Sequence, residues 1–170
     1  MSELTTLHEA MKSTIAAAMP RFLHVEHFPE LGSLVETPAL LFGVTDMTLG
    51  TDRGEGKTAL IGRFQSCILV DATRKKASLQ ASILAAQMTS ILSYQYWGLD
   101  FITGPPENIH AQPEAPMPDL EQFVMWSVQW TQTFEVGDFE WPWPDEPPGT
   151  LMFGFNADKA PEFFPPEDLP

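Results

Sequence analysis

The run Gly50-Thr51-Asp52-Arg53-Gly54-Glu55-Gly56-Lys57-Thr58 is the first stretch of the chain whose residue types could do chemistry. Its ending, Gly56-Lys57-Thr58, is that of a phosphate-binding loop, in which backbone N–H groups and a lysine hold the anion. Such a loop needs a glycine five residues before Gly56, where this chain has Thr51, and Gly50 lies one residue too far. It must also lead into a helix N-terminus, whereas the residues after Lys57 alternate like a strand. The run therefore reads as a Gly-rich hairpin tip, with Arg53 and Lys57 as its two cations.

The remaining polar groups fare no better as reactive centres. His24 and His27 form an H-x-x-H pair, but residues three apart in a strand point to opposite faces and cannot chelate together. His8 and His110 have neither cysteine nor paired carboxylates beside them in sequence. The acid pairs Asp145-Glu146 and Glu167-Asp168 sit among prolines, whereas acid–base work needs carboxylates held rigidly. Cys67 is the only cysteine, which excludes an intramolecular disulfide and any zinc site built on several thiolates. We expect no catalytic residue, no metal and no cofactor.

Elements that would carry these residues follow from periodicity. Leu4, Leu7, Met11, Ile15, Ala18, Met19 and Phe22 recur at three- and four-residue spacing, which predicts a helix over residues 3–19 with Ser2 as its cap. Residues 22–28 alternate and stop at Pro29, residues 39–47 are apolar and β-rich, and a long strand spans 57–72. The last two strands flank the glycine loop and make an extended hairpin. A second helix is expected over 75–94, its broad apolar face including Leu79, Ile83, Leu84, Ala86, Met88, Ile91 and Leu92. A weak strand over 107–111 and a clear one over 124–136 complete the domain. Trp126 and Trp130 in the latter are expected to pack in the core. The fold class is α+β: a mainly antiparallel sheet of about four to five strands packed with two helices, followed by an extended Pro-rich tail.

Composition sets the partners. Nine basic residues against 23 acidic ones give a net charge of −14, a poor match for nucleic acid or anionic lipid. The apolar runs fall short of the roughly 20 residues needed to cross a bilayer, and the acidic first residues lack a signal-peptide pattern, so we expect folding in the cytoplasm. After Gly137 the composition changes. Residues 138–170 hold eight of the 16 prolines and eight acids against one base, Lys159. They also hold seven aromatics, including Trp141, Trp143, Phe163 and Phe164, which ordinary disordered tails lack. Two domains follow: 1–137, and an acidic aromatic tail that docks on its own domain or on a neighbour. The cluster Arg74-Lys75-Lys76, expected at the start of the second helix and beside Asp71, is either a solvated helix start or the receiver of an adjacent copy's tail.

Three stretches carry a family resemblance: residues 21–29 after the amphipathic helix, residues 68–74 running into the Ala-rich helix, and Met125-Trp-Ser-Val-Gln-Trp-Thr-Gln132. The chain resembles the phage tail terminators, in particular the Mu-like small tail proteins, over residues 4–137, and the last stretch looks like their Trp-x-Val-x-Trp-x-Gln strand. The tail after Gly137 departs from that pattern. The resemblance implies a small α+β subunit that closes into a hexameric ring at the head-proximal end of the virion tail. Such a ring ends tube polymerisation, and sheath polymerisation in contractile tails, and offers a surface for head joining. Its partners would be copies of itself, the tail tube protein, the sheath and the neck proteins. It implies no catalytic residues. Arg53, Lys57, Arg74, Lys75, Lys76, Trp141, Trp143, Phe163 and Phe164 are the candidate subunit or tube contacts. Another head–tail connector, or a small-ligand module with tryptophans lining a pocket, remains open.

Overall fold

In the computed structural model, residues 2–28, 36–115 and 118–137 are described, together with the backbone of 153–155 and 162–164. The chain divides into two units, Met1–Glu140 and Trp141–Pro170.

Helix α1 runs over Glu3–Ala18, and the Ser2 hydroxyl accepts the Thr5 N–H at 3.3 Å, as a cap should. Its buried stripe is Leu7, Met11 and Ile15; Pro20 follows and cannot extend the helix. Strand β1 (His24–His27) is shorter than the expected 22–28 and pairs in parallel with the start of β2 (Ala39–Leu49). Beyond Phe42, β2 is paired on one side only among the described residues, by β3 (Thr58–Asp71). Strand β5 (Phe123–Val136) pairs with β3 without interruption from Thr58↔Val136 to Asp71↔Phe123. The sheet order is β1-β2-β3-β5-β4, all neighbours antiparallel except β1 and β2. Both helices contribute to the main core, so this is the expected α+β fold with a five-stranded mixed sheet.

Even-numbered residues of β3 and β5 face the helices. Phe64, Ile68, Val70, Val128, Trp130 and Phe134 are buried there, with Trp126 packed at the margin. The rings of Phe64 and Trp130 stack at 5.6 Å, a favourable offset contact. Cross-strand alternation therefore points both predicted tryptophans to the helix side, Trp130 within the core and Trp126 partly buried at its edge. The opposite face carries a smaller apolar cluster of Ala39, Leu41, Leu69 and Met125, joined by Leu120 from a short 3-10 turn.

Three expectations are corrected. Helix α2 spans Ala77–Leu92, not 75–94. Asp71 accepts from the N–H and hydroxyl of Thr73, and Arg74 N–H donates to the Asp71 carbonyl. These bonds hold residues 71–74 in a turn, and Lys76 enters the helix at a left-handed φ of 57°. The buried stripe of α2 is Ala77, Ala81, Leu84, Ala85, Met88 and Leu92, which turns Leu79, Ile83 and Ala86 outward. Strand β4 spans Glu107–Glu114 and runs through Pro113. An edge strand tolerates proline because one side of its backbone has no partner to lose.

In the second unit, β6 (Phe153–Phe155) and β7 (Glu162–Phe164) form an antiparallel pair.

Candidate functional site

The hairpin tip and the basic cluster lie at opposite ends of β3. Residues 50–57 precede its first residue, and Arg74 follows its last by three positions. Fourteen strand residues separate the two sites by about 45 Å at the usual rise. The candidate cations are therefore not one site but two, one at each pole of the sheet.

At the tip pole, the Gly50 N–H donates to the Ala59 carbonyl at 2.8 Å, which closes the hairpin. Asp52 accepts the Gly54 N–H at 2.7 Å, and Gly54 and Gly56 both sit at φ 75°, where only glycine is unstrained. Thr58 then enters a strand, so the loop lacks the helix N-terminus that a phosphate cradle requires. Arg53 Nε approaches Glu135 Oε1 at 3.8 Å, with 56% of the arginine side chain exposed and 10% of the glutamate. Lys57 is exposed beside it in sequence. Gly137 also belongs to this pole, because its N–H donates to the Glu3 carboxylate at the start of α1.

At the opposite pole, the Arg74 guanidinium donates to the Thr37 carbonyl at 2.9 Å and not to the carboxylate of Asp71 three residues before it. The Thr73 hydroxyl and N–H hold the Asp71 carboxyl below its ordinary range, with Arg74 the smallest influence. Lys75 and Lys76 are exposed in the turn before α2. Arg21, which follows α1, lines one groove with Arg74. That groove, of about 540 Å³, is completed among the described residues by Pro20, Leu23, Pro38 and Ile83 and their neighbours on α2. Leu23 is 60% exposed and Ile83 48%, so the groove pairs two guanidinium groups with two bare aliphatic side chains. One turn before Ile83, Leu79 is 53% exposed and borders a second groove with Val124 and Trp126. Four of the nine basic residues of the chain therefore gather at this pole.

Sequence reasoning placed neither Arg21 nor Leu23 nor Ile83 at a site. Ile83 had been assigned to the buried face of a helix that is apolar nearly all round, and Arg21 and Arg74 are brought together only by the fold. Of the other candidates, Phe163 and Phe164 fall in β7, of which only the backbone is described, and Trp141 and Trp143 lie outside the described residues.

The fold also joins two histidines that the sequence kept apart. His8 of α1 and His27 of β1 have ring centroids 4.8 Å apart, and both lie against Phe42. The His8 Nδ1 lies 2.7 Å from the Leu4 carbonyl, which can only accept, so this nitrogen carries the proton in the neutral ring. Burial is the main influence holding His8 below its usual pKa; the Leu4 bond opposes it, and His27 adds to it. Glu9 reaches His27 at 3.9 Å. Beside them Lys12 and Glu26 pair at 2.7 Å, which raises the lysine and lowers the glutamate.

The chain matches no model of a known protein family and no curated protein.

Proposed function

We propose that this chain is a structural subunit of a phage tail, a terminator that assembles into a ring, most naturally a hexamer, on the end of the tail tube. In this reading it acts by assembly and carries out no reaction. The tail tube protein, the sheath of a contractile tail and the neck proteins are its partners. The resemblance of residues 4–137 to the tail terminators motivates the proposal. The observation that carries it is polarity: the hairpin tip lies at one end of β3, and the basic cluster with its apolar groove lies at the other. A subunit with different contact surfaces at its two ends makes heterologous contacts, and these close into a ring when the rotation allows it.

The test is solution mass by light scattering over a wide concentration range, followed by negative-stain imaging. A six-fold ring is the expected result. If the chain is monomeric alone, it is mixed with growing tail tubes, which it should cap and shorten. Tubes that grow unchanged in its presence overturn the proposal.

A further inference from the structure

We propose that the groove between Arg21, Leu23, Arg74 and Ile83 receives the acidic, aromatic segment 138–170 of a second copy of this chain. The inference rests on the reading that copies assemble head to tail, and it names the contact.

Charge is the first argument. The chain carries −14, yet Arg21, Arg74, Lys75 and Lys76 gather at one pole. Segment 138–170 carries eight acids and one base, half of that net charge. The most acidic part of the molecule and its densest basic cluster are thus complementary, which favours encounter and fixes orientation. The single tie of Arg74 to the Thr37 carbonyl leaves its charge without a carboxylate within salt-bridge distance among the described residues.

Apolar chemistry is the second argument. Leu23 and Ile83 are large aliphatic side chains left exposed beside the two guanidinium groups, and Leu79 is exposed one turn before Ile83. The segment offers seven aromatic rings and eight prolines. An aromatic ring between an aliphatic side chain and a guanidinium gains both burial and cation–π attraction.

Geometry argues for a second copy. The Gly137 N–H is bonded to Glu3 at the start of α1, while Arg21 follows the end of that helix. Sixteen helical residues put the two points about 24 Å apart along the helix. Gly137, the last described residue before the segment, therefore lies at one pole of the domain, and the groove opens at the other. In a head-to-tail row, what leaves one pole of a copy meets the opposite pole of the next.

The test uses the full chain in two isotopic forms, unlabelled and nitrogen-15, mixed and treated with a carbodiimide. Lys75 or Lys76 should form amide cross-links to acids of segment 138–170, and peptides joining heavy to light chains should appear. The double variant Arg21→Glu, Arg74→Glu should lower the yield of mixed cross-links about tenfold, since like charges then face each other. A second variant, Ile83→Asp, changes an exposed side chain on α2 and should lower it as well. Circular dichroism confirms that both variants are folded. Cross-links confined to one isotope would put the segment on its own chain and overturn the inference. Absence of cross-links from these lysines to the segment, or mixed cross-links unchanged in both folded variants, would overturn it too. Light scattering on the same samples separates the two readings. Six-fold rings without these cross-links would sink the contact and leave the ring. Mixed cross-links in a species that neither closes a ring nor caps tubes would do the reverse.

Discussion

Trp97 donates its indole N–H to Gln132 Oε1 at 2.8 Å, and both side chains are buried. The amide nitrogen of Gln132 then donates to the Gln95 carbonyl at 2.8 Å and to the Gly104 carbonyl at 3.0 Å. One side chain on β5 thereby ties down the connection from α2 to β4. This is the glutamine that ends the Trp-x-Val-x-Trp-x-Gln motif within β5, and the four named residues of that motif all lie on the helix-facing side. Gln132→Leu strands one buried donor and two carbonyls, and should cost about 2–3 kcal/mol. In urea the midpoint should fall with the slope unchanged.

Gly62 should resist any side chain. A Cβ there would lie 2.8 Å from Phe64 Cε2 and 2.9 Å from Phe134 Cε1, closer than carbon atoms pack. Both rings are fully buried and have no room to retreat. Gly62→Ala should therefore cost about 1–3 kcal/mol through overpacking, read as a lowered Tm with the fold retained by circular dichroism.

The His8 pair should make stability depend on pH on the acid side of neutrality. Burial lowers the His8 pKa from its ordinary 6.5 in the folded state. Below that pH the unfolded chain binds a proton that the folded chain resists, so stability falls as pH drops through 6.5. The groups facing His8 are the Leu4 carbonyl, Glu9 and His27. His8→Gln should flatten the pH dependence of the urea midpoint in this window. The carboxylates of Glu26 and Glu114, both lowered by hydrogen bonds, act in a different window. Their contribution is full above the ordinary value of 4.5 and is lost as pH falls below it.

Cys67 should be inert in the native protein. It is buried on the sheet face away from the helices, and burial pushes its thiol up to about 11. Thiolate, not thiol, is the nucleophile, so iodoacetamide at pH 8 should label the chain in denaturant and leave the folded form largely unmodified. Rapid native labelling, followed by mass spectrometry, would contradict the described packing.

Helix α1 and the strand β5 were legible because each has one clear apolar side, and β3 because its β-rich run continues straight from the glycine loop. Leu7, Met11 and Ile15 leave a polar far face, and the even positions of β5 alternate against Ser127, Gln129 and Thr131. Helix α2 was legible as a helix but not in its orientation. With Leu79, Ile83, Ala86 and Ile91 as apolar as Leu84 and Met88, periodicity cannot choose a face, and only packing on the sheet does. Its start was misread because no glycine or proline marks the turn, and Lys76 takes the left-handed conformation without one. The hairpin tip was legible from Gly50, Gly54 and Gly56. The groove was not, since Arg21 and Arg74 are 53 positions apart in the chain and meet only through tertiary structure. His8 and His27 escaped notice for the same reason.

The uninterrupted pairing of β3 with β5 has a consequence for the order in which the chain can be completed. A ribosome that has just released Asp71 must add 65 more residues before Val136, the partner of Thr58, exists. At the usual pace of synthesis that is roughly 3–13 seconds, during which β3 can pair with β2 but has an empty flank along all 14 of its residues. Ile68 and Val70 wait beside that flank, and so does a ladder of unsatisfied backbone groups. Two nascent chains close together on one message would present the same bare strand to each other. Conditions that slow translation between Asp71 and Phe123 should lengthen that interval and lower the yield of correctly folded protein.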